Sequence, residues 1–191
     1  MATEILRPNA AGDETAIELQ YPNSTSHWDK VDEAVADDLA TYVANDATPA
    51  YERDLYNLPS HSVGAGTINS ITLYLRVWRY GTSDNVKASL KTGGSVYDSA
   101  ALNPTPAYTW VTVSWLQTVN PKTSAAWTWD DIDALQIGAS LYNDSQLSQV
   151  YVEVDYTAPA GWTGTFNGIK SPATAIGIAS ASLASVNGVT G

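Results

Sequence analysis

This sequence predicts an all-β fold, an antiparallel β-sandwich of the jelly-roll type ending in an extended, low-charge C-terminal tail. Three observations carry that expectation. Apolar and polar residues alternate strictly in several separate runs, as in strands with one face in a core and one in water. Clusters of Gly, Pro, Asn and Asp divide those runs at short intervals. Helical patterns of about 10–15 residues, which a parallel α/β fold would need between its strands, do not recur.

In chain order, Thr3 to Arg7 read as a first strand, stopped by Pro8 and the turn formers Asn9, Gly12 and Asp13. Residues 15–21 form a weaker second one. Residues 27–43 are ambiguous. Val31, Ala34, Val35 and Leu39 fall at helical spacing, with Asp29, Asp32 and Glu33 suited to a helix start, yet Thr41, Tyr42 and Val43 are strand-like. A short helix or acidic loop followed by a strand is expected. Residues 54–58 give another strand, closed by Pro59.

The next runs are plainer. Ile71, Leu73, Leu75 and Val77 alternate with Thr72, Tyr74, Arg76 and Trp78 in a long amphipathic strand. Val86, Ala88 and Leu90 alternate with Lys87, Ser89 and Lys91. Turn chemistry at Gly93 and Gly94 then leads into a short return over 95–97. Residues 108–115 are aromatic and β-branched, as strands prefer. Asp130 is expected to cap a short turn over 131–134. The strongest signal lies in residues 127–157. There Leu135, Ile137, Ala139 and Leu141 alternate with polar residues or glycine, and Val150, Val152, Val154 and Tyr156 do the same. Asn143, Asp144 and Ser145 between these runs predict a hairpin.

A chain of 191 residues, 44% hydrophobic, is long enough for one ordinary domain and an appendage. It contains no cysteine, which excludes disulfides, thiolate nucleophiles and Cys-ligated zinc. A net charge of -11 argues against nucleic-acid binding, which requires basic patches. No apolar stretch approaches the length of about 20 residues that spans a bilayer, so membrane insertion is not expected. No secretory signal is legible at the N-terminus, so release by host lysis is the expected way out of the cytoplasm. Residues 1–54 hold 12 acidic and 3 basic side chains, concentrating -9 of the charge there.

Composition changes after Thr157, which places the sandwich at 1–157 and the tail at 158–191. The tail carries one charge, Lys170, and a loose repeat: Phe166-Asn167-Gly168-Ile169, Ala175-Ile176-Gly177-Ile178 and Val186-Asn187-Gly188-Val189. Such uncharged, β-prone sequence is expected to dock on a neighbouring subunit, through Phe166, Gly168, Ile169, Ile176, Ile178, Val186 and Val189.

No motif identifies a reaction. Glu153-Val154-Asp155 resembles part of an E-x-D-x-E glycosidase signature, but Thr157 occupies the third position, so an acid/base pair is incomplete. His27 and His61 stand among polar residues and read as surface loop positions. No G-x-S-x-G elbow and no phosphate loop is present, and no catalytic residue or cofactor is expected. No acidic cluster has EF-hand spacing. Asp29, Asp32 and Glu33 are the weak calcium candidates, with capping and solvation the plainer use of these carboxylates. With seven Trp and eleven Tyr, stacking on sugars is open to Trp78, Tyr80, Trp110, Trp127 and Trp129.

The run W-T-W-D-D-I-D-A-L-Q-I-G (127–138), followed by Q-V-Y-V-E-V-D-Y-T (149–157), resembles a pattern in proteins encoded by tailed phages. The segment G-T-I-N-S-I-T-L-Y (66–74) and the acidic stretch 28–43 resemble the same group. This resemblance implies a non-enzymatic virion component: a capsid decoration, fibre or appendage subunit on the particle surface. It would self-associate as a homo-oligomer and meet other virion or surface proteins through its tail. The alternative is a carbohydrate-binding module or adhesin domain, with glycans as partners.

Overall fold

The computed structural model describes residues 1–24, 26–81 and 83–159, and six two-residue strands beyond them. The body comprises β1 (Ala2–Leu6), β2 (Ala10–Thr15), β3 (Leu19–Tyr21), β4 (Tyr42–Ala44), β5 (Tyr51–Asn57), β6 (Thr67–Arg79), β7 (Asn85–Thr92), β8 (Ser95–Asp98), β9 (Val111–Gln117), β10 (Gln136–Tyr142) and β11 (Ser145–Thr157). A 3-10 turn spans His27–Lys30, and a one-turn helix, α1, spans Trp129–Asp133.

These strands form two antiparallel sheets packed as a jelly-roll sandwich. One has the order β3-β4-β11-β6-β9, with β1 also paired to β11; the other runs β2-β5-β10-β7-β8. The predicted alternation explains the layers. Leu73, Leu75 and Val77 of β6 and Val150, Val152 and Val154 of β11 face inward. They meet Val86, Ala88 and Leu90 of β7 and Ile137, Ala139 and Leu141 of β10, all fully buried in one core. Burying each larger aliphatic side chain contributes about 1.5–3 kcal/mol against the entropy of ordering it.

The hairpin expected between β10 and β11 is not formed. Both strands exist, but they belong to opposite sheets. Each buries its apolar side in the shared core, so residues 143–144 carry the chain over the edge of that core. Asn143 sits at φ 57 and donates its side-chain amide to Asp84 Oδ1 at 2.6 Å, which fixes the corner. By contrast, Gly93 and Gly94, both at positive φ, do join β7 to β8 as a tight hairpin.

Other expectations also change. Asn9, Gly12 and Asp13 read as turn formers, yet residues 10–15 are β2, held by β5 and by an Asp13 amide donating to Gln136 Oε1. Of the two forms expected for 27–43, the acidic loop followed by a strand is the one formed, so the helical spacing of Val31, Ala34, Val35 and Leu39 does not produce a helix. Val31 is fully buried while Val35 and Leu39 are 80% and 69% exposed, because the segment is a loop pinned residue by residue. The α1 cap is Thr128 rather than Asp130, in a reciprocal capping box with Asp131.

That acidic loop seals an edge. β4 covers residues 146–147 of β11 and β1 covers 152–156, which leaves a gap at the bulge after Leu147. Val31 fills it by accepting from the Val150 amide at 2.9 Å, and the Gln149 side chain donates to the Glu33 carbonyl at 2.6 Å. Arg76 then clamps the loop with a two-pronged pair to Asp38, both contacts at 2.8 Å. Burial holds the Glu33 and Asp32 carboxyls above the ordinary carboxylate range, whereas the Arg76 bonds hold Asp38 below it.

A depressed folded-state value means that the Asp38 contribution is complete above the unfolded pKa of about 4 and is lost as pH falls through the lowered value. Asp38→Asn is therefore expected to cost about 1 kcal/mol at pH 7. Urea melts should show that difference shrinking toward pH 3; an equal gap at both pH values would contradict it.

The body's last strand ends at Thr157. Beyond it, β12 (Thr165–Phe166) pairs with β13 (Ile169–Lys170), β14 (Thr174–Ala175) with β15 (Ile178–Ala179), and β16 (Ser185–Val186) with β17 (Val189–Thr190). Each sequence repeat thus carries two strands flanking its central dipeptide. The docking side chains expected at Phe166, Gly168, Ile169, Ile176, Ile178, Val186 and Val189 lie outside the described residues.

Candidate functional site

Strand register assembles a groove at one end of the first sheet. Across β3, β4, β11 and β6, Leu19, Ala44, Gln146 and Trp78 occupy one row on the outer face, spanning about 14 Å at strand spacing. In the next row Tyr21 stacks on Tyr42 with ring centroids 5.4 Å apart. Trp78 faces outward because its neighbours Val77 and Arg79 face inward. Its ring meets Tyr80 and Tyr108 edge-on at 6.0 and 6.3 Å, and these two tyrosines meet each other at 5.1 Å. Tyr80 and Tyr108 are 57% and 63% exposed. Two backbone bonds set this trio: Tyr80 donates to the Asp144 carbonyl and Tyr108 to the Arg79 carbonyl.

Two adjoining cavities share Leu19 and Tyr42. The first, of about 340 Å³, is completed by Glu18, Gln20, Tyr21, Asn23 and His27. The second, of about 280 Å³, is completed by Ala44, Asn45, Asp46, Trp78, Tyr80, Asp144 and Gln146. Asn45 is 3% exposed, and both of its amide hydrogens are used, on the Ala50 and Leu141 carbonyls. Its Oδ1 is a buried acceptor with no donor among the described residues.

The aromatic residues named from sequence therefore separate. Trp78 and Tyr80 enter the groove. Trp110 packs its ring 6.4 Å from Tyr42 and does not line either cavity. Trp127 is 4% exposed and donates to the Gln117 carbonyl, so it has no free face to offer a ligand. Trp129 is taken up structurally: it donates to the Gly66 carbonyl, stacks on His61 and meets Tyr156 edge-on. Tyr21, Tyr42 and Tyr108 were not singled out by sequence, since cross-strand register brings the first two into the groove and a long-range loop bond to the Arg79 carbonyl brings the third to Trp78.

Neither histidine is a plain loop position. His61 Nδ1 and its backbone amide both meet Asp133 Oδ1, at 2.7 and 2.9 Å, and these bonds hold the Asp133 carboxyl below its ordinary range. His27 Nδ1 lies 2.6 Å from Asp54 Oδ2. Asp54 is fully buried and also accepts from the amides of Ala16 and Ile17 and from the Tyr56 hydroxyl. Burial, with that carboxylate beside it, pushes the Tyr56 phenol well above the ordinary tyrosine value.

The calcium candidates do not converge. Asp29 pairs with Lys30, Glu33 accepts from the Thr41 hydroxyl, and no cluster of ligating side chains fit for a metal ion occurs among the described residues. Glu153 and Asp155 project from the outer face of β11, and Asp155 accepts from the Asn69 side chain. Neither lines the groove.

No protein-family model and no curated protein matches this chain. Among solved structures, it is similar to CBM35 from Cellvibrio japonicus Abf62, at 15% identity and a TM-score of 0.45, covering 82% of this chain and 95% of that one. It is also similar to the C-terminal CBM6 of LamC, a laminarinase from Zobellia galactanivorans, at 14% identity and 0.42, covering 81% and 100%. A third is the carbohydrate-binding module CBM6cm-2 from Cellvibrio mixtus lichenase 5A, in complex with cellotriose, at 10% identity and 0.40, covering 81% and 97%. At such identities and scores, what the groove holds must be read from its own side chains.

Proposed function

We propose that this protein is a non-catalytic carbohydrate-binding module whose ligand lies in the groove beside Trp78. The observation that supports this most directly is the half-buried Trp78 with the exposed Tyr80 and Tyr108, next to a row of hydrogen-bonding side chains. A sugar ring presents an apolar C–H face and a polar hydroxyl rim. Aromatic faces, with their negative quadrupole, attract the C–H hydrogens, and Asn45, Asp46, Asp144 and Gln146 meet the rim. An apolar cleft with a few placed polar groups is the usual build of a small-ligand site. The shared Leu19 and Tyr42 let one extended glycan occupy both cavities.

Affinity electrophoresis through gels containing soluble polysaccharides tests this reading. Retention on at least one polysaccharide is expected, with Trp78→Ala and Tyr80→Ala each weakening it about tenfold or more, or 1.4 kcal/mol. Unchanged circular dichroism would show that the variants still fold. Retention by no polysaccharide, or retention indifferent to both substitutions, would remove the proposal.

A place on a phage particle, with self-association and a tail tether, is a separate proposal that rests on the sequence resemblance. Such a site would make the module an adhesin. Finding this chain by mass spectrometry in purified virions would support it, and its absence from them would count against it.

A further inference from the structure

Charge sorts the ligands that this groove can accept. Neither cavity is lined by a lysine or arginine among the described residues, while Glu18, Asp46 and Asp144 supply three carboxylates. The buried Asn45 Oδ1 adds an acceptor whose direction is fixed, because both amide hydrogens are already donated. Gln146 offers an amide and His27 a ring nitrogen, but the fixed charges are of one sign. Around them the chain carries -11. An anionic sugar would enter with no cation to meet it, and at physiological salt the carboxylates act over about 8 Å, the length scale of screening. A hydroxyl or ammonium donor finds acceptors already in place.

We propose that the groove takes glycans free of anionic substituents and binds more tightly those that carry protonated amines. This rests on the carbohydrate-binding reading and specifies the class of sugar.

The test uses the full chain and three soluble probes: a neutral β-glucan oligosaccharide, a glucosamine oligosaccharide with free amines, and an oligogalacturonate. Calorimetry at about 20 mM and 300 mM salt is expected to rank amine above neutral at low salt, with uronate undetected. The amine advantage should shrink at high salt, as exposed charge interactions do. In Asp46→Asn and Asp144→Asn the ratio of amine to neutral affinity should fall toward one. Uronate binding as tight as neutral binding, or an amine advantage indifferent to salt and to both substitutions, would overturn the selectivity while leaving the glycan reading in place. Binding of none of the three, with no polysaccharide retained in gels, would overturn both.

Discussion

Asp54→Ala is expected to destabilise the protein by about 3–5 kcal/mol, the range for breaking a buried charged network. Asp54 lies on β5 with its side chain turned into the sandwich, opposite Ala139, and none of it reaches water. One oxygen accepts the backbone amides of Ala16 and Ile17 at 2.8 and 2.9 Å, and the other takes the His27 ring and the Tyr56 hydroxyl. A single carboxylate thus ties the link between β2 and β3, the 3-10 turn and β5 to one point. Removing it strands buried donors, each costing about 1–3 kcal/mol when left unmet. Denaturant melts should show a lower midpoint. Because His27 also lines the first cavity, the variant should lose glycan retention before it unfolds. An unfolding free energy within about 1 kcal/mol of wild type would mean that water replaces the carboxylate and that Asp54 does not organise this end.

A comparable loss, at least about 3 kcal/mol, is expected of Gly138→Ala, above the usual cost of overpacking. Gly138 sits mid-strand in β10, between Leu55 of β5 and Ser89 of β7. A methyl group there would lie 1.9 Å from the Asp54 carbonyl oxygen and 3.1 Å from the Leu55 Cα, and neither is a flexible side chain that can swing aside. On the other side, a Cβ added at Gly12 of β2 would lie 2.5 Å from the Leu55 carbonyl oxygen. The two glycines therefore let three strands crowd around Leu55, where β2 bulges between Ala11 and Thr15. A soluble Gly138→Ala protein with an unchanged melting midpoint would show that the strands can part without cost.

Sequence alone made the core legible and the network illegible. Leu73 and Val152 announced their inward faces because period-2 alternation is a local property of the chain. Asp54 gave no comparable sign. Its only oddity, a carboxylate on an inward-facing strand position, becomes informative once β5 has a register. His27 is 27 residues away in sequence and acquires meaning only beside it. Trp127 and Trp129 stood out as aromatics, but composition does not tell a tryptophan that seals a core from one that shows its face. Trp78 and, just past the end of β6, Tyr80 could be placed on the outer face by parity alone; that Tyr42 joins them followed from pairings between distant strands, and that Tyr108 does followed from a loop amide bonded to the Arg79 carbonyl.

The same division applies to the hairpin that did not form. Local turn chemistry at residues 143–145 is compatible with pairing or with crossing between sheets. Which one occurs depends on where the two apolar faces find a common core, and that is settled only when both sheets are present. Alternation, turn residues and charge therefore determined the all-β class, the positions of the long core strands and the acidic character of this protein. The tertiary structure decided the sheet order, the buried Asp54 junction and the aromatic groove, because each joins residues that meet only through long-range packing.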